Sequence, residues 1–105
     1  MQSVQVEQDL HIDVIQLRKA ALVFRSINHP LRQQMLRLLH QNGKMTVTEL
    51  YVKLRLEQSV ASQHLAILRK SGIVATERRA KNVFYSVNYS QLDHLHDVTS
   101  SLING

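Results

Sequence analysis

The chain has no cysteine and no tryptophan, and only one proline and three glycines among its 105 residues. Without cysteine there is no disulfide, no thiolate nucleophile, no thiol redox switch and no cysteine-based zinc or iron–sulfur site. So few glycines leave no glycine-rich phosphate cradle, and a single proline leaves no proline-rich linker. No apolar run approaches the ~18 residues that a membrane span requires. Residues 1–9 are polar and acidic rather than signal-like, so a soluble cytoplasmic protein is the expectation. What is present is an ordinary globular mixture, 44% hydrophobic and 20% charged. That suffices for one small core and a single domain over residues 1–105, burying roughly two-thirds of the unfolded surface.

The distribution of charge is more informative than its net value of +5. All 13 Lys and Arg lie between Arg18 and Lys81, where only Glu49, Glu57 and Glu77 oppose them. Glu7, Asp9 and Asp13 make the start acidic, and Asp93 and Asp97 make the end acidic. A basic middle between acidic ends fits a body that faces a polyanion while its ends do something else.

Hydrophobic spacing sets the element order. Leu10, Val14, Leu17, Ala21 and Phe24 predict a helix from about Asp9 to Ser26. Ile12, Ile15, Leu22 and Val23 give it more apolar surface than one packing partner needs. Asn28-His29-Pro30 reads as a stop and restart, with Asn28 or His29 as cap and Pro30 in the first turn. Leu31, Met35, Leu38 and Leu39 form the inner face of a second helix that Asn42-Gly43 ends. Lys44-Met45-Thr46 suits a short edge strand, and Thr46 with Glu49 forms a capping box for a third helix. Its inner face is Val47, Leu50, Tyr51 and Leu54. A tight turn at Arg55-Leu56-Glu57 leads to a fourth helix over about Gln58–Ser71, closed by Gly72, so residues 47–71 form a helix-turn-helix unit. Residues 73–87 then change period: Ile73–Thr76 and Val83–Val87 predict two strands around a basic tip over Glu77–Asn82. A last helix over Ser90–Ile103 carries Leu92, Leu95, Val98 or Thr99, and Leu102 on one side. The fold class is therefore mainly α with a small β-hairpin, in the order α-α-(short β)-α-α-β-β-α.

On a helical wheel the fourth helix separates two chemistries. Ala61, His64, Leu65 and Leu68 share one side, flanked by Val60 and Ile67. Ser59, Ser62, Gln63, Ala66, Arg69 and Lys70 share the other. A helix entering the DNA major groove needs slim residues for close approach and amide or hydroxyl groups for base edges. An amphipathic helix with a solvated face explains the same pattern in isolation, but a preceding short helix and a following basic hairpin favour DNA. Arg78, Arg79 and Lys81 on the hairpin would reach phosphates or an adjacent minor groove.

These segments carry a family resemblance. Asn28-His29-Pro30-Leu31-Arg32, Thr48-Glu49-Leu50, the stretch from Gln58 through His64-Leu65 to Leu68-Arg69-Lys70-Ser71-Gly72-Ile73-Val74, and Val83-Phe84-Tyr85 together resemble the ArsR/SmtB family of bacterial winged helix-turn-helix regulators. The similarity covers roughly Leu17–Val87. It implies a homodimeric repressor on an inverted-repeat operator of double-stranded DNA. Gln58, Ser59, Ser62 and Gln63 would make base and phosphate contacts, with Arg69 beside them and Arg78, Arg79 and Lys81 on the wing. His64 matches a position near DNA in the family, whereas the wheel turns it inward as a core histidine bonded to backbone; both readings stand. Two positions depart from the pattern: Glu57 replaces a frequent serine cap, and Ala80 replaces a frequent glycine in the wing turn.

In the family the first and last helices, here 9–26 and 90–103, build the dimer. Leu10, Val14, Leu17, Leu92, Leu95 and Leu102 are the expected interface, agreeing with the surplus apolar surface. On the last helix His94 and Asp97 share a face, as does Asp93 with His96 and Asp97. With a partner's Asp9, His11 or Asp13 they could hold Zn²⁺ or Ni²⁺, but a solvated face is the commoner use of such a cluster. No metal site, no cofactor and no effector, small molecule or metal, is assigned, and no membrane partner is expected. A winged-helix module that binds an acidic protein is the alternative; the fourth helix lacks the aromatic anchors protein interfaces favour. No nucleophile–base pairing suggests an enzyme.

Overall fold

The first helix starts where the Asp13 carboxylate accepts from the Gln16 amide (3.1 Å), in a computed structural model that describes residues 10–105. This cap opens α1, Val14–Ile27. The expected start near Asp9 is therefore corrected. Leu10 precedes the helix and is exposed, and Glu7 and Asp9 lie outside the described residues. His29 then caps α2, Pro30–Asn42: its Nδ1 accepts from the Leu31 amide (3.2 Å), and Pro30 occupies the first turn. Gly43 at φ 84° ends α2.

The link between α1 and α2 is only two residues long, and side chains of α2 finish α1. A helix leaves its last four carbonyls without intrahelical partners. Here Phe24 O accepts from the Asn28 amide, and Arg25 O and Ser26 O accept from Arg32 Nη1 (3.2 and 3.1 Å). Ile27 O accepts from Gln33 Nε2 (3.0 Å).

Strand β1, Met45–Thr46, leads into α3, Val47–Leu54, through the expected capping box. Helix α4 spans Gln58–Lys70, β2 Val74–Arg79, β3 Asn82–Val87 and α5 Tyr89–Asn104. The sheet is antiparallel with order β1-β3-β2 and register Met45↔Tyr85 and Val74↔Val87. The strands run further than the expected hairpin: Glu77, Arg78 and Arg79 are strand residues, and only Ala80 and Lys81 turn. Cross-strand pairing of Arg78 with Val83 and of Arg79 with Asn82 outweighs the low strand propensity of the charged residues. Ala80 sits at φ 55°, a left-handed conformation that explains why glycine suits this place.

The core gathers Met35, Leu36 and Leu39 of α2, Leu50 of α3, Ala61, Leu65 and Leu68 of α4, and Met45, Ile73, Val74 and Val87 around the sheet. Of α1, Val23 and Ile27 pack on this core, and Leu92 and Leu95 of α5 join them half-buried. Val98, rather than Thr99, continues the inner side of α5; Thr99 is exposed and donates to Leu95 O (2.8 Å). Among the described residues, no helix is long and apolar enough to cross a membrane.

Glu57 stands at the N-cap of α4 and makes no side-chain cap bond. Replacing it with a residue that caps should stabilise the helix. We predict that Glu57→Ser raises stability by roughly 0.5–1 kcal/mol, after loss of the carboxylate's favourable interaction with the helix dipole. Thermal unfolding should shift upward by several degrees; an unchanged or lower midpoint would contradict this account of the helix start.

Candidate nucleic-acid interface

Helix α3 ends at Arg55, whose left-handed φ of 57° reverses the chain within three residues. The Leu56 amide donates to Tyr51 O (2.9 Å), fixing the turn into α4. On α4, Ala61, Leu65 and Leu68 are completely buried. Since these occupy positions i, i+4 and i+7, the opposite face must point outward. Gln58, Ser59, Ser62, Gln63, Ala66, Arg69 and Lys70 are all exposed. Among the described residues no intramolecular hydrogen bond engages the side chains of Gln58, Ser59, Ser62 or Gln63, so their donors and acceptors are free.

The exit of α4 is held as firmly as its entry. Gly72 at φ 80° turns the chain, Asn88 Nδ2 donates to Gly72 O (2.9 Å), and Gln91 Nε2 donates to Ser71 O (3.2 Å). Side chains at the start of α5 thus fasten the basic end of α4, where Arg69 and Lys70 project.

Strand alternation divides the wing arginines. Arg78 lies on the face of Val74 and Thr76, the side turned toward the helices, and pairs in register with Val83. Arg79 lies on the outer face, where its Nε donates to Glu77 Oε2 (3.0 Å). Lys44 shares that face, 3.9 Å from Glu77 and 5.3 Å from the centre of the Phe84 ring. Lys81 is exposed in the turn. Among the described residues Arg78 and Lys81 have no carboxylate partner, whereas Arg79 is already matched with one.

His64 answers both expectations only in part. Its ring is half-buried, as the wheel indicates, but its partner is a side chain rather than backbone: Arg32 Nε donates to His64 Nδ1 (3.1 Å). The His29 ring lies 4.8 Å away, centroid to centroid. Desolvation, then the Arg32 charge and then His29 hold the His64 imidazolium below the ordinary histidine range. Arg32 was visible in the sequence only as part of a motif. The signal that could have found it is a basic side chain one turn into α2, where α1 leaves carbonyls to satisfy.

The expected dimer residues fall into two groups. Leu10, Leu17 and Leu102 are exposed, while Val14, Leu92 and Leu95 are half-buried. Asp93, His94, His96 and Asp97 are exposed on α5. Among the described residues no three His, Asp or Glu side chains gather as a metal site would require.

A short helix, a tight turn, a helix with a free hydroxyl-and-amide face and a flanking β-hairpin define a DNA-binding winged helix-turn-helix transcriptional regulator. Residues 29–76 match the pattern of the bacterial regulatory protein, arsR family. The chain is 38% identical over 74 residues to the transcriptional activator HlyU of Vibrio cholerae, covering 70% of this chain and 68% of that protein. It is 40% identical over 67 residues to the biofilm growth-associated repressor of Agrobacterium fabrum, covering 64% of this chain and 56% of that one. The solved structure of HlyU from Vibrio cholerae superposes with a TM-score of 0.65 at 32% identity, covering 86% of this chain and 97% of that one. The chain belongs to the ArsR family, whose members regulate transcription and are not enzymes.

The lowered His64 pKa has a signed consequence. Between that value and the unperturbed ~6.5, the unfolded chain binds the proton more readily than the folded one, so stability falls as pH drops through this window. Denaturant melts from pH 7.5 to 5.5 should show this loss in the native protein and a smaller one in His64→Gln. Equal slopes for the two would contradict the assignment.

Proposed function

We propose that this chain is a homodimeric repressor that binds an inverted-repeat operator in double-stranded DNA, its described elements working as one winged helix-turn-helix unit. The observation that carries this reading is the unengaged polar face of α4, held outward by Ala61, Leu65 and Leu68 beside a cationic wing. In this reading Gln63 and Ser62 meet base edges; Gln58, Ser59 and Arg69 hold the backbone; and Arg78, Arg79 and Lys81 reach flanking phosphates. His64 stands at the edge of this contact.

The protomer's surface supports the dimer. It exposes 7605 Å², against about 6,000 Å² for a compact monomer of 12.1 kDa. Its radius of gyration is 16.5 Å, where about 13 Å is usual for this length. Large apolar side chains are exposed on both terminal helices. Leu17 and Leu22 of α1 are 62% and 54% exposed, Leu102 and Ile103 of α5 are 72% and 77% exposed, and α5 buries no residue fully. A second copy covering both helices would present two α4 helices to successive turns of DNA. A dimer seated this way on a promoter represses by occupying it.

Two measurements test the reading. Gln63→Ala should lower discrimination at one or two base pairs by about 1–3 kcal/mol, while Arg78→Ala should weaken binding to every duplex and flatten the salt slope by about one. Unaltered affinity and specificity in both variants would remove α4 and the wing from the interface. Sedimentation should give twice the 12.1 kDa chain mass. Leu17→Glu should yield folded monomers with much weaker operator binding; a variant that stays dimeric would exclude α1 from the seam.

A further inference from the structure

One guanidinium joins three helices. Arg32, in the first turn of α2, donates through Nη1 to the Arg25 and Ser26 carbonyls at the end of α1. Through Nε it donates to Nδ1 of His64 on α4 (3.1 Å). Its fork is rigid and always charged, so the two directions are fixed relative to each other. His64 directly follows Gln63, and its ring, bonded to the guanidinium, also lies 4.8 Å from the His29 ring, centroid to centroid.

We propose that Arg32 is a positioning residue for DNA reading: through His64 it locks α4 to the end of α1 and thereby sets the pose of the reading face relative to the dimer seam. This rests on the reading of α4 given above. Because Nδ1 accepts, the neutral ring carries its proton on Nε2, and a single tautomer is selected. The clamp matters most for specific binding. Two α4 helices must meet two half-sites at a set spacing, whereas contacts to phosphate tolerate a looser pose.

The test compares affinity for a duplex recovered by selection from random-sequence DNA with affinity for a scrambled duplex of equal length. Arg32→Gln should lower that ratio at least about tenfold while non-specific binding falls only by the loss of one charge. Arg32→Gln also uncaps α1, so His64→Gln, which keeps the α1 carbonyls satisfied but removes the δ acceptor, is the second probe and should lower the ratio similarly. His64→Asn places an amide oxygen where Nδ1 stood and should retain the ratio within about threefold. In the native protein, ¹⁵N shifts of His64 should report the Nε2–H tautomer, and Arg32→Gln should abolish that preference. If His64→Gln keeps the ratio and His64→Asn loses it, the ring acts by touching DNA and the clamp is refuted. An unchanged ratio in Arg32→Gln and His64→Gln also refutes it, provided Gln63→Ala lowers the ratio. If Gln63→Ala leaves it unmoved as well, the reading of α4 falls, and the clamp with it.

Discussion

The burial of one side of α4 is the constraint on which the remaining structure depends. Ala61, Leu65 and Leu68 have no accessible surface, and truncating either leucine would cost about 2–5 kcal/mol, a large share of a small domain's stability. With that side committed to Met35, Leu39 and Leu50, the hydroxyls and amides opposite have nowhere to go but outward. The helix is also fixed at both ends. Arg55 accepts a left-handed conformation that costs roughly 1–2 kcal/mol so that α3 and α4 can meet at a tight turn, and Asn88 and Gln91 grip the exit loop. A face displayed on so rigid a mount suits recognition by shape and by directional hydrogen bonds.

Electrostatics complements that mount. Ten of the 13 cations lie from Arg32 onward, in the body that carries α4 and the wing, and three more lie on α1. The acidic residues of the two ends stand outside this stretch, and a body so charged suits a polyanion. Within the wing, Glu77 moderates the outer face by pairing with Arg79 and approaching Lys44, while Arg78 on the other face has no such partner among the described residues. The two neighbouring arginines therefore differ in character although they adjoin in sequence.

Much of this is legible in the sequence. The wheel of residues 58–70 divided α4 as it is, because a 3.6-residue period leaves little freedom once Leu65 and Leu68 must be inside. The Thr46–Glu49 capping box and the stop at Asn28-His29-Pro30 appeared where local chemistry demanded them. Three things were not legible, each because a specific hydrogen bond or strand pairing, rather than hydrophobic spacing, decided the outcome. The charged stretch Glu77–Arg79 became strand through pairing with Asn82–Phe84. The helix start moved from Asp9 to Val14 because Asp13 caps, whereas hydrophobic spacing counts Leu10 as one more repeat. His64 bonds to Arg32, 32 residues away, a contact that periodicity does not encode. At the wing turn Ala80 stands where glycine is frequent in the resemblance, and its φ of 55° supplies the reason the departure matters.

The most direct measurement of the central claim is selection of bound fragments from genomic DNA at moderate ionic strength, followed by binding isotherms on the enriched duplex. The account predicts that enriched fragments share an inverted repeat whose half-sites lie about one helical turn apart, bound far more tightly than arbitrary DNA. Enrichment of no common sequence, with only weak binding that vanishes as salt rises, would contradict it.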